Sequence, residues 1–357
     1  MTAVDSANKA KARAAFLDFL RILAAFLVIV NHTNSYVFKA LTPADSQWHW
    51  SILWYYVSKT AVPVFIMISG ACLLGKRDSY AKTGRRILRT VLALVLASYL
   101  YFLWDAWVNY GLWPRAVDFG ALFGKIWRGE ITDGFWYLPL YLGLLLTLPL
   151  WQRMASAMEK RDYEYLMALT FTVGAAWPLL SHYVPALALP KYLDQLVPCA
   201  YLGLFFAGHY LVKYREPRRN SVLLAAVSLV LLLAVCWALT RLEFDRVEPG
   251  TMYWFMDERT APALPVIAAS LSLFWLARCI FGSRRSGRLL TELGGCAFGM
   301  YLLQDLLIAE SKNRLFLPLC EKLPAFGAAL CWEVVVFAAA LAGAWLLRRI
   351  PGMKRIL

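Results

Sequence analysis

An arginine and a histidine stand eleven residues apart in the first apolar stretch, LDFLRILAAFLVIVNH, where a hydrocarbon environment should exclude both. Eleven steps of about 100° on an α-helix return to within about 20° of the start. Arg21 and His32 therefore share one face, about 16 Å apart along the axis. Such a face offers a fixed cation at one depth and, at another, an imidazole whose ordinary pKa of about 6.5 suits proton transfer near neutrality. The spacing equally fits a plainer arrangement, in which Arg21 snorkels to the headgroups beside Asp18 and His32 caps the helix end with Asn31 and Asn34. A second group, Lys82-Thr-Gly-Arg85-Arg86-Ile-Leu-Arg89, opens the third apolar stretch. Arg86 and Arg89 are i, i+3 neighbours at a helix N-terminus, a setting that attracts a polyphosphate, and Arg85 adjoins them. Basic residues placed only by membrane sidedness would look the same.

Where these groups meet depends on the elements that carry them. Of the 357 residues 60% are hydrophobic and 17% charged, which excludes both a soluble enzyme and a disordered chain. Windows of about 20 apolar residues mark membrane spans, and ten are present: roughly 15–37, 52–75, 87–109, 135–151, 164–186, 195–212, 221–240, 261–281, 293–309 and 325–347. The expectation is an all-α integral membrane protein, a bundle of about ten transmembrane helices. The segment AVDFGALFGKIWRG is too briefly apolar to span and reads as a helix lying at the interface.

The net charge of +14 is a topology signal. Alternate loops and the two ends carry 24 Lys and Arg against 11 in the intervening loops, so both termini are expected in the cytoplasm and no nucleic acid is required. That topology puts Lys59, Asp105, Trp136, Tyr137, Gln304 and Asp305 in the outer half, at depths near that of His32. Together they outline a polar cavity open to the outside. Singly, Lys59 with Asp105 reads as mutual neutralisation and Trp136 with Tyr137 as an aromatic belt. His49, His182 and His209 read as interfacial residues.

The seven cysteines are odd in number, lack CxxC spacing and fall mostly within apolar windows, so they read as packing residues, with no disulfide framework and no metal site. The basic-then-apolar N-terminus resembles a signal peptide, but Asp18 and Arg21 interrupt it and no A-x-A site follows, which predicts a retained first helix. No internal repeat is detected, and RRIPGMKRIL is a short basic stub. The whole of 1–357 is expected to be one transmembrane domain with no appended soluble domain.

These segments resemble, in order, the motifs of the acyltransferase 3 family of bacterial integral membrane sugar O-acyltransferases. LDFLRILAAFLVIVNH carries the family's Arg-x10-His and RRILR its Arg-x-x-Arg. VPVFIMISGACLL, GFWYLPLYLGLLLTLPL, LGLFFAGHYL and FGMYLLQ are similar to later family segments, across roughly residues 15 to 310. The last departs from the pattern, because Gln304 stands where many members have histidine.

The resemblance implies transfer of an acyl group, acetyl above all, from cytoplasmic acyl-CoA to a hydroxyl of an extracytoplasmic or lipid-linked glycan, in a bacterial inner membrane. Arg86 and Arg89, with Arg85, would hold the CoA phosphates. The pantetheine arm would run along the face carrying Arg21. His32 would act as general base or as a covalent acyl relay. Lys59, Asp105, Trp136, Tyr137, Gln304 and Asp305 would border the acceptor. Two other classes remain: a transporter of a lipid-linked sugar or polar solute, and a non-catalytic partner in polysaccharide-synthesis machinery. Against the first stand the lack of repeated halves and an arginine pair suited to phosphate. The second should lack acyl-CoA binding.

Overall fold

In the computed structural model the described residues are 14–110, 118–190, 197–246 and 263–357. Lys9, Lys11, Arg13, Arg115, Lys191 and Arg259, which entered the charge distribution, lie outside them. Among the described residues the fold is helical, with one isolated β-bridge between Ala14 and Arg285 and no strand. The principal helices are α1 (Ala15–Thr33), α2 (Ser46–Lys59), α3 (Ala61–Leu73), α4 (Tyr80–Tyr110), α5 (Phe119–Arg128), α6 (Tyr137–Ala157), α7 (Lys160–Phe171), α8 (Ala200–Tyr214), α9 (Ser221–Glu243), α10 (Leu264–Phe281), α11 (Arg288–Ser311) and α12 (Ala325–Leu347).

Among the described residues seven helical runs are long and apolar enough to cross a membrane: Ala15–Phe38, Ser46–Leu73, Tyr80–Val108, Asp133–Ala157, Ser221–Glu243, Leu264–Phe281 and Ala325–Leu347. In the other three expected windows, of which 195–196 lie outside the described residues, the helices do not reach that measure, each for a visible reason. Helix α8 has 15 residues, about 22 Å of rise. Helix α7 begins with the polar run KRDYEY and continues through a π-helical turn, Thr172–Ala176, into Trp177–Tyr183. Helix α11 carries Glu292, Gln304, Asp305 and Glu310, and its 24 residues extend well beyond the 293–309 window.

The second window is a broken helix. Pro63 has no N–H to give the carbonyl of Lys59, so α2 ends at that residue and α3 starts after Thr60, whose hydroxyl donates to the Val57 carbonyl at 2.7 Å. Of the segment expected at the interface, Ala116 and Val117 lie outside the described residues and Phe119–Arg128 forms α5, capped by the Asp118 carboxylate on the Ala121 N–H. Phe119, Phe123 and Trp127 share one exposed face of it, while Leu122 is buried.

Helix α1 is the axis of the molecule, packed on α2, α3, α10, α11 and α12. Helices α3 and α8 cross at backbone contact. A Cβ on Gly70 would fall 1.7 Å from the Phe205 carbonyl oxygen, and one on Gly208 would fall 1.9 Å from that of Met67. Only glycine permits this approach, which fixes the face of α3 bearing Ser69 and Cys72. All seven cysteines are free thiols, but only Cys236 and Cys296 are buried, so the packing role expected for the whole set holds fully for those two.

Candidate active site

A cavity of about 470 Å³ lies between α1, α3, α4, α6 and α11. Helix α1 turns Arg21 and Val28 into it, seven residues apart and thus on one face, and His32 follows on that face beyond the cavity's end. Arg21 is held by the fully buried Asp18 at 2.5 Å and donates to Cys72 Sγ at 3.2 Å, so its charge is compensated where it enters the apolar layer.

One end of the cavity is ringed by cations. Arg86 and Arg89 project into it from the start of α4, joined by Arg348 and Lys354 from the chain's last segment. Arg85, one residue before Arg86 and therefore turned about 100° around the helix, is exposed and does not line it. Arg86 is paired with Asp78, which is almost wholly buried and also takes Lys82 at 2.6 Å. Gln152 accepts from the Asp78 N–H at 3.0 Å and donates to its Oδ2 at 3.2 Å. Burial works against ionisation of this carboxyl, but the bonds from Lys82, Arg86 and Gln152 outweigh it and hold the group well below the usual carboxylate range. Arg89 donates to the main-chain oxygens of Ile356 and Leu357 at 2.9 and 2.8 Å, while Arg348 reaches the Gly295 carbonyl. A guanidinium has five N–H donors, so these contacts orient both groups without exhausting them.

At the other end the cavity meets a much smaller gap, about 10 Å³, lined by Asn31, His32, Ser58, Ala61, Gly134 and Trp136. Val28, Val62, Tyr137 and Tyr301 line both spaces and form the wall between them. His32 has a quarter of its side chain exposed, and its Nδ1 stands 3.9 Å from Asp305 Oδ1. Asp305 Oδ2 in turn accepts from the Thr132 hydroxyl at 2.7 Å. The 3₁₀ turn Asp133–Trp136 packs so closely here that a Cβ on Gly134 would lie 2.1 Å from Asp305 Oδ2. Tyr301 ties the same turn down, donating to the Gly134 carbonyl at 2.5 Å.

The outer group expected from sequence is thus divided. Trp136, Tyr137 and Asp305 gather around His32. Lys59 is buried over the Tyr55 ring at 4.8 Å, Asp105 is exposed, and neither lines the gap. Gln304 is buried, and among the described residues neither of its side-chain polar atoms has a hydrogen-bond partner; it lies one helical step round from Asp305 and outside the gap. His182, read as interfacial, has its Nε2 2.7 Å from Oε1 of Glu243, a carboxylate only 2% exposed.

Sequence reasoning does not single out three groups at or near the site. Glu333 on α12 is fully buried and accepts from the Thr33 hydroxyl at 3.2 Å and the Trp54 indole at 2.9 Å. It is an acidic residue inside an apolar window, the same signal that singled out Arg21. Arg348 and Lys354 belong to the basic tail, and nothing in their spacing distinguishes them from sidedness residues.

These features define a polytopic, all-helical membrane protein whose core holds a long cavity, cationic at one end and closed by aromatic rings near a histidine at the other. The acyltransferase 3 family, described as an acyltransferase domain, matches residues 14–349, nearly the whole chain, and the protein belongs to that family. It is a membrane acyltransferase, and the transporter reading falls away. No curated protein and no solved structure matches the chain.

Proposed function

We propose that the protein transfers a short acyl group, acetyl above all, from cytoplasmic acyl-CoA to a hydroxyl of an extracytoplasmic or lipid-linked glycan. The observation that carries this reading is the single cavity running from four cations to the wall beside His32. Coenzyme A has the matching polarity: phosphates at one end, a slender amide arm, and a thioester at the tip. Arg86, Arg89, Arg348 and Lys354 supply charge-assisted donors for the phosphates. The pantetheine arm follows the Arg21–Val28 face of α1, and the thioester arrives at Tyr137 and Tyr301.

In this account His32 is the general base. With Nδ1 directed at Asp305, Nε2 is the nitrogen left to take the proton, and Asp305, itself steadied by Thr132, positions the ring. The 3.9 Å separation is longer than a hydrogen bond, as catalytic contacts often are before substrate binds. The acceptor hydroxyl oxygen attacks the thioester carbonyl as its proton passes to His32. The carbon–sulfur bond then breaks, and the CoA thiolate leaves with that proton. The acceptor hydroxyl meets His32 at the exposed quarter of its side chain.

Ten spans with both termini and the cationic mouth in the cytoplasm, in a bacterial inner membrane, complete the proposal. The 24 to 11 distribution of Lys and Arg supports that sidedness. Mass spectrometry of surface and lipid-linked glycans from cells with and without the gene tests the function. The expected result is loss of one acyl substituent from one glycan class. Identical glycan masses in the two strains would contradict it.

A further inference from the structure

The wall between the two spaces is built from few side chains, and its geometry limits what can cross. Tyr301 is 7% exposed and anchored by its hydroxyl to the Gly134 carbonyl. Its ring meets Tyr137 edge-on, with centroids 5.8 Å apart, and Tyr137 is stacked on Tyr141 at 5.9 Å. Val28 and Val62 close the remaining sides. Beyond the wall, the gap at His32 has room for about one water-sized group. A thioester placed at the wall must put its acyl chain into that gap or fold it back among the rings. The gap has space for little more than a methyl.

We propose that Tyr301, backed by Tyr137, is the residue that sets a chain-length ceiling on the acyl donor, restricting the enzyme to two- and three-carbon acyl groups. This rests on the acyl-CoA reading of the cavity and goes beyond it by naming the specificity determinant. Three features point to Tyr301 over its neighbours. It lines both spaces, its position is fixed by a hydrogen bond to the turn facing His32, and it lies four residues before Asp305, so both face the same side of α11. Deleting its ring would join the gap to the 470 Å³ cavity and let a longer chain lie between α1, α6 and α11. The chemistry is unchanged: the acyl carbon exchanges its bond to sulfur for one to the acceptor oxygen, and the hydroxyl proton leaves with CoA by way of His32.

The test uses detergent-opened membrane vesicles from cells that make the full-length protein, which hold both enzyme and native acceptor. They are incubated with acetyl-, butyryl- or octanoyl-CoA, and acyl groups on the extracted glycans are identified by mass. Wild type should favour acetyl over octanoyl by about tenfold or more, the scale of discrimination a filled apolar pocket gives. Tyr301→Ala should narrow that ratio by about tenfold, whereas Tyr301→Phe, which keeps the ring, should preserve it. Because a buried ring is lost, Tyr301→Ala risks poor folding. Val28→Ala removes only two methyl groups from the same wall and should shift the preference toward butyryl. Equal use of octanoyl and acetyl by wild type would overturn the ceiling while leaving the acyl-CoA reading intact. Unchanged ratios in every variant that accumulates would remove it from Tyr301. No transfer from any acyl-CoA by wild type would overturn the donor reading and the ceiling with it.

Discussion

Replacing His32 with alanine should reduce acyl transfer by about 10²-fold or more, the scale of a missing general base, while the protein still enters the membrane and binds acyl-CoA. The competing role, a histidine that merely caps α1, predicts only about 0.5–2 kcal/mol of lost stability with transfer still measurable. The capping position of α1 is Asn34, whose own N–H bonds to the Val30 carbonyl, and Nδ1 of His32 faces Asp305. His32→Gln sharpens the test, since glutamine can donate and accept hydrogen bonds but cannot take up a proton at neutral pH. Single-turnover transfer with the purified variants is the measurement. A Gln variant as fast as wild type would make His32 structural.

The second large effect is expected at the cationic mouth. Arg86→Ala and Arg89→Ala should each weaken acyl-CoA binding about tenfold to a hundredfold, because hydrogen bonds to charged groups contribute about 1.5–3 kcal/mol. Lysine should rescue either position only partly, since it replaces a planar fork with a point charge. Arg85→Ala is the internal control: its side chain is outside the cavity, so affinity should be unchanged. Titration of detergent-solubilised protein with acetyl-CoA distinguishes the three. Equal losses at all three positions would point to nonspecific attraction by a basic loop, and no loss at Arg86 or Arg89 would return that pair to a sidedness role.

How much of this was legible beforehand follows from the physics of each signal. The common face of Arg21 and His32 was readable because helical geometry alone determines it, and Val28 between them lines the same cavity. Arg86 and Arg89 separate from Arg85 for the same reason. Depth along the membrane was a weaker guide. It grouped six outer residues with His32, yet azimuth decides which of them reach it. Asp305 does and Gln304, one step round α11, does not. The wall at Tyr301 was invisible, since a tyrosine in an apolar helix is ordinary until its hydroxyl is seen on the Gly134 carbonyl, contributed by a turn 167 positions away. Arg348 and Lys354 were hidden by the rule that explained them too easily, and Glu333 by an apolar window whose average concealed one charge.

The central claim is that an acyl group carried by CoA on the cytoplasmic side crosses the protein to a hydroxyl on the other. Sealed inside-out membrane vesicles, supplied externally with acetyl-labelled acetyl-CoA, test it most directly. The account predicts that label appears on glycan enclosed in the lumen, that sealed right-side-out vesicles given the same acetyl-CoA acquire none, and that His32→Gln vesicles of either orientation stay unlabelled. Equal labelling in both orientations, or labelling that survives in the glutamine variant, would contradict it.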